Sequence, residues 1–288
     1  MKKKLLYSFI SLATLLLCMP DNLHARKFRV MTFNIRLITT ADGDNIWTNR
    51  SLQVCDFIAS KKPDVFGVQE ATKTQMDDLT QHLDKYAFVG VGRDDGKEKG
   101  EYSPVFYNKE KYRLIKSGTF WLSETPEVPS MGWDAACRRV CSWAVLQNIK
   151  TGNSFVYANT HLDHMGVQAR SNGAMLIKVK LSQIANDLPM MITGDFNVTK
   201  EDAAYSTMRN RFFLLDDAYL SAPKRVGLKS SWNNWGKIKD EEGQIIDFIF
   251  ITPNLKVKKA YIHDGNLGNG HYLSDHNAVY VDLDGKIL

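Results

Sequence analysis

Residues 190–198 read MMITGDFNV. A short apolar run closed by glycine has the character of a buried strand rather than an amphipathic helix. Gly194 allows the backbone to turn at the strand end, and alternation sets Asp195 and Asn197 on one side of the chain. A carboxylate and an amide would then stand at the edge of a core. The same letters also describe a plain Asx turn, so this stretch alone leaves two readings open. Its neighbours decide between them.

Upstream, residues 28–33 alternate as a strand ending in Asn34-Ile35-Arg36. Residues 49–60 carry helical apolar spacing and stop before Pro63. Residues 64–68 form a second buried strand running into Gln69-Glu70, followed by a helix over 72–83 and a strand over 86–91. A charged, glycine-punctuated stretch, 92–100, is expected at the surface. Residues 101–107 are expected to form a hairpin with 112–121, and 123–136, with Pro126, Pro129 and Gly132, an irregular excursion. Strands over 140–147 and 154–159 flank the turn Thr151-Gly152-Asn153, and the second leads into Asn159-Thr160-His161-Leu162-Asp163. A helix over 169–185 precedes the opening strand. Further strands are read over 245–251, 257–263 and 277–281, with a loop over 271–275. Sheets packed together with helices outside, an α/β sandwich, fit this order.

Strand after strand finishes in a residue able to meet a metal or a phosphate: Asn34, Glu70, His161, Asp195 with Asn197, and Asp275 with His276. Asp247 interrupts the apolar IIDFIF, where a carboxylate is unfavourable without a partner. One such residue is ordinary turn chemistry; this many is not. Carboxylates and amides without a cysteine or histidine cluster suit a hard cation, Mg²⁺ or Mn²⁺. There is no GxSxG elbow and no Walker loop, so acyl transfer and nucleotide-driven work are disfavoured. Metal-assisted attack of water on a phosphate ester remains.

The chain of 288 residues, 44% hydrophobic, is long enough for one large domain, and no composition break or repeat divides it. Lys2, Lys3 and Lys4 ahead of the apolar residues 5–17 read as a cleaved signal peptide over 1–25. A lipoprotein signal ending before Cys18 ranks below it, because Leu17 is large for such a box. Both lead to an exported protein, periplasmic or secreted. Removing 1–25 takes away three lysines and one aspartate and lowers the formal charge from +5 to +3, too mild to argue for polyanion binding. Cys55, Cys137 and Cys141 remain; export permits a disulfide between the last two, but small buried thiols are the preferred reading.

As a set, Gln69-Glu70, NTHLD at 159–163, GDFN at 194–197, IDFIF at 246–250 and SDH at 274–276 resemble the endonuclease/exonuclease/phosphatase superfamily. The resemblance spans nearly all of residues 26–288, with the motifs in order. It implies a four-layered α/β sandwich of two mixed β-sheets, with the site at one end between them. It assigns Glu70 as principal metal ligand, with Asn34 and Asp275 close to the metal. Asp195 would orient or deprotonate the attacking water, Asn197 hold a phosphate oxygen, and His276, paired with Asp247, stabilise charge on the phosphoryl group. His161 resembles a second active-site histidine, and Glu101 the glutamate that pairs with it. Arg170 and Trp232 are further substrate-binding candidates.

Two departures narrow the field. Arg36 stands where apurinic-site endonucleases carry an aspartate, and SSWNNWG at 230–236 replaces a segment typical of deadenylases. The expectation is an exported metal-dependent phosphodiesterase. Its alternatives are a phosphomonoesterase of inositol or sugar phosphates, a secreted nuclease and a sphingomyelinase-like lipid phosphodiesterase. Nucleic acid stays open as a substrate, and no obligate protein partner is evident. A binding module without catalysis is disfavoured because Glu70, Asp195 and His276 are all present.

Overall fold

The first and last strands of the domain lie side by side. In the computed structural model, which describes residues 27–288, β1 (Lys27–Asn34) pairs antiparallel with β15 (Val279–Asp284) and parallel with β2 (Val65–Gln69). The leader expected over residues 1–25, Cys18 included, lies outside the described residues. β3 (Tyr86–Val89) and β4 (Val105–Asn108) extend this sheet beyond β2. β10 (Arg225–Gly227) and β12 (Val257–Ile262) extend it beyond β15, giving seven strands.

The second sheet has six strands. β5 (Tyr112–Trp121), β6 (Val140–Asn148), β7 (Ser154–His161) and β8 (Met190–Asp195) follow in order, then β11 (Asp247–Ile251) and the short β9 (Asp216–Asp217). Both sheets mix parallel and antiparallel pairs, as expected. A small hairpin, β13 (Asn266–Gly268) and β14 (His271–Tyr272), occupies part of the loop expected over 271–275.

Alternation sorts the side chains into layers. Phe28 and Val30 of β1 meet Phe155, Tyr157, Met191 and Ile249 between the sheets. Met31 and Phe33 point outward, under α1 (Trp47–Lys61) and α2 (Lys73–His82). Met190 and Ile192 lie under α3 (Val167–Ala185) and α4 (Ala203–Asn210) on the other side. The result is helix, sheet, sheet, helix: the four-layered sandwich.

Two expectations are corrected. Residues 101–107 and 112–121 do not form a hairpin: β4 pairs with β2 and β3, whereas β5 pairs with β6 in the opposite sheet. The chain crosses between sheets at Asn108–Tyr112, where Asp64 accepts from Lys111 Nζ at 2.8 Å and Tyr112 OH at 3.0 Å. Gly194 does not turn the chain either. It lies inside β8, and a Cβ there would sit 2.4 Å from the carbonyl oxygen of Thr160 on the parallel neighbour, so close strand approach requires the glycine. Among the described residues Cys55, Cys137 and Cys141 are free thiols.

Candidate active site

Topology explains why the polar residues converge. β1 with β2, and β7 with β8, run parallel, so their C-terminal ends lie together. β11 is antiparallel to β8, which places Asp247 opposite Asp195, and β15 is antiparallel to β1, which returns Asp275 and His276 to the same end. Asn34, His161, Asp195 and Asp247 all share the parity of side chains facing the space between the sheets. Glu70 has the opposite parity, but its φ of 64° falls in the left-handed region and turns the carboxylate inward.

Asn159 buttresses this end. Its amide nitrogen donates to Val68 O (2.8 Å) and Pro104 O (2.9 Å), and its oxygen accepts from Gln69 (2.7 Å) and Thr193 (3.0 Å). One buried side chain thus ties the strand leading to Glu70 to the strand leading to Asp195. Gly67 makes room for it; a Cβ there would lie 2.2 Å from Asn159 Cγ.

Asn34 Nδ2 donates to both Glu70 (3.0 Å) and Asp195 (2.9 Å), while its oxygen accepts from Arg36 N. Asn34 therefore orients two carboxylates with its nitrogen, and its oxygen keeps one acceptor site. Asp195 is also the head of an Asx turn, its Oδ1 accepting from Asn197 N at 2.9 Å. Both readings of GDFN hold at once. Asp195 Oδ2 lies 3.5 Å from His161 Nε2 and 3.7 Å from His276 Nε2. His276 Nδ1 meets Asp247 at 2.9 Å, the pairing the resemblance implies.

Burial alone would lower the His276 pKa, but Asp247, Asp195 and Asp275 raise it to about 10, so the ring is an imidazolium near neutrality. Burial, and then the charge of Asp247, push Asp195 well above the usual carboxylate range. Burial also opposes ionisation of Glu70, yet Asn34, Leu37 N, His276 and Arg36 outweigh it and hold the carboxyl below its ordinary value. His161 is driven well down, first by burial and then by Arg139 and Arg93, and stays neutral. Asn197 Nδ2 donates to Leu162 O (3.0 Å) and lies 2.9 Å from His161 Nε2, so that ring nitrogen is an acceptor and the proton sits on Nδ1.

Glu101 lines the same cavity but does not partner His161. Its carboxylate is held by both terminal nitrogens of Arg93, each at 2.7 Å, while His161 Nδ1 is buried without a hydrogen-bond partner. Trp232 lines the cavity, whereas Arg170 donates to Asp163 O and is not part of the lining. Asp163 is a loop former rather than a cleft residue: Met165, Gly166, Ala136 and Cys137 N–H groups converge on it. The strap 230–235 does more than contribute an aromatic ring. Asn233 N and Asn234 N donate to Asp275 O, and Ser231 Oγ accepts from Asp247 N, so it holds the backbone of Asp247 and of the residue before His276.

The cavity measures about 710 Å³ and also takes in Arg36, Arg93 and Arg139, which the motifs did not mark. Arg36 binds Asp42 and approaches Glu70 (3.9 Å) and Asp275 (4.0 Å). Asp195, Asp247 and His276 bring three ligand atoms within 4.8 Å of one another, and Glu70 and Asp275 add carboxylates on the same lining. This oxygen-rich set fits a hard divalent cation.

A family model described as Endonuclease/Exonuclease/phosphatase matches residues 31–276. An endonuclease/exonuclease/phosphatase structure from Bacteroides vulgatus is similar at 42% identity and TM-score 0.86, over 90% of this chain and 98% of that one. A mannosyl-6-phosphatase from Bacteroides thetaiotaomicron is similar at 33% identity and TM-score 0.82, over 89% and 99%. Nocturnin of Drosophila melanogaster is 25% identical over 83% of this chain, which spans only 42% of that protein.

Proposed function

Because the chain belongs to the endonuclease/exonuclease/phosphatase family, we propose that it is a divalent-metal-dependent phosphomonoesterase of a small phosphorylated sugar. The carrying observation is that Arg36, Arg139 and the His276 imidazolium enter the same 710 Å³ cavity as the carboxylates. That volume suits a small ligand, and that positive charge suits a terminal, dianionic phosphate. The likeness to a mannosyl-6-phosphatase supports the same choice over the phosphodiesterase expected from the motifs.

In this reading Glu70 and Asp275 hold the cation, Mg²⁺ or Mn²⁺, which when bound supplies a Lewis acid to the phosphoryl oxygens. His276 is less suited as a ligand, because its ring is charged and its Nδ1 is engaged by Asp247. Asp195, with its basicity raised by burial, orients water and accepts its proton. Asn34 fixes that carboxylate relative to Glu70. The His276 imidazolium faces the charge that grows on the phosphoryl group, and Asp247 keeps it protonated. Asn197 spends both Nδ2 hydrogens on Leu162 O and His161 Nε2, so its role here is to orient His161, and donation to a phosphate oxygen would require exchanging the His161 contact. Export is part of the proposal and rests on Lys2–Lys4 and the apolar residues after them.

The test is a panel of hexose phosphates, inositol phosphates, p-nitrophenyl phosphate, bis(p-nitrophenyl) phosphate, DNA, RNA and sphingomyelin with Mg²⁺ or Mn²⁺. Monoester turnover that disappears on chelation and in Asp195→Asn is expected. Turnover confined to the diesters would overturn the monoester assignment, and full activity in Asp195→Asn would remove that residue from the mechanism.

A further inference from the structure

We propose that the Arg93–Glu101 ion pair is the subsite that reads the hydroxyl groups of the substrate's sugar, an inference that rests on the monoester reading above. The pair lines the cavity, and its side chains stay 14% and 18% exposed. Arg93 Nη1 and Nη2 each give one hydrogen to Glu101, at 2.7 Å. Each terminal nitrogen keeps a second hydrogen, and each carboxylate oxygen keeps an acceptor site. Donors and acceptors therefore stand side by side in one plane, a pattern that vicinal hydroxyls complement.

The pair's charge is balanced internally, which suits a neutral polyol better than a second anion. Arg36 and Arg139 are also paired with carboxylates, but with ones other than Glu101. Arg36 is turned toward Asp42, Glu70 and Asp275, while Arg139 is buried against Asp163 and His164. Glu101 lies near enough to Glu70 for that charge to oppose its ionisation. Hydroxyls on this wall would thus belong to the molecule whose phosphate is at the reaction centre.

The wall is also rigid. Trp121 Nε1 donates to Arg93 O at 2.7 Å, and Arg93 N donates to Glu101 O at 3.1 Å. Asp95 Oδ1 accepts from Lys97 N and Lys99 N, closing the loop that carries the arginine. Trp232, on the same cavity, offers a flat apolar surface for a sugar ring. A polar site built this way discriminates strongly against a substrate lacking the matching hydroxyls.

The experiment compares kcat/KM for hexose 6-phosphates with that for p-nitrophenyl phosphate in the wild type, Arg93→Met and Arg93→Lys. The hexose-to-aryl ratio is expected to fall by at least about 30-fold in Arg93→Met, chiefly through KM. Arg93→Lys keeps the charge but loses the planar fork, and its ratio is expected to fall by about tenfold. Equal losses on both substrates, or an unchanged ratio, would show that the pair is only scaffolding. Should neither variant fold by circular dichroism, inhibition of wild-type aryl phosphate hydrolysis by free hexose decides: competitive inhibition supports the subsite and none refutes it. If the wild type cleaves no monoester, the parent reading fails. Saturation-transfer NMR with a methyl hexoside then tests the subsite separately, a hexoside signal supporting it and its absence overturning it.

Discussion

Asn159→Leu removes the buttress between the strands that carry Glu70 and Asp195 while keeping a side chain of similar length. Four hydrogen bonds disappear, but their partners do not suffer equally. Gln69 Nε2 keeps Thr32 Oγ1 at 3.0 Å, and Thr193 Oγ1 keeps Tyr157 OH at 2.8 Å. The carbonyls of Val68 and Pro104 lose the amide donor in a buried setting. At about 1–3 kcal/mol for each polar group left unsatisfied, the loss is about 4 kcal/mol. For a domain of this size that corresponds to a fall in Tm of roughly 8–16 °C. Thermal unfolding followed by circular dichroism, and chemical unfolding in urea, would read it. The surviving folded protein should turn over at least about tenfold more slowly, because small misplacements of reacting groups are expensive in rate. A Tm within 2 °C of wild type, roughly the effect of less than 1 kcal/mol, would show that the sheets hold their register without Asn159.

The histidine pair gives a second expectation: in Asp247→Asn the alkaline limb of the kcat/KM profile moves toward lower pH, since the neutral amide no longer holds the His276 proton, and an unmoved limb would contradict that role. For stability the sign is fixed by the raised His276 pKa, about 10 against 6.5. The ion pair contributes fully below about pH 6.5 and its contribution is lost as pH rises through about 10, so the stability advantage of wild type over Asp247→Asn should be largest below about pH 6.5 and shrink away as pH rises through about 10. On the acid side, wild-type kcat/KM should decline as pH falls through the raised Asp195 value, well above the usual carboxylate range; a limb near pH 4, the ordinary carboxylate value of about 3.9, would argue against Asp195 as the base. Gly194→Ala forces a methyl toward Thr160 O at 2.4 Å and should lower stability by about 1–3 kcal/mol, measured by urea denaturation. Wild-type stability in that position would mean that β7 and β8 separate readily.

The layers were legible because apolar parity is written plainly in β1, β7, β8 and β11. The motif residues were legible because a carboxylate or amide at the end of an apolar strand has few other uses. What escaped was long-range. Residues 105–121 have the pattern of two adjacent strands, and nothing local shows that Asp64 will anchor the crossing to another sheet. Arg93 lies in a charged, glycine-rich stretch that reads as solvated surface; only the fold back onto Glu101 brings it inside. Arg139 follows Arg138 in a pair of identical letters, yet one is buried and the other partly exposed, a difference set by Asp163. Glu101 kept its place in the cavity and changed its partner. Such pairings depend on which loops meet, which periodicity does not encode.

The adjacency of β1 and β15 bears on when the protein becomes active. Asn34 emerges from the ribosome about 240 residues before Asp275 and His276, and β15 must dock on β1 to bring them together. A nascent chain halted before residue 275 has the amide that aligns Glu70 and Asp195 but neither the Asp275 carboxylate nor the imidazolium. The site is complete only once residue 276 has been made and β15 has docked on β1. Sequence distance thus sets the order of assembly: the pairing that completes the site is among the longest-range contacts in the fold and forms late.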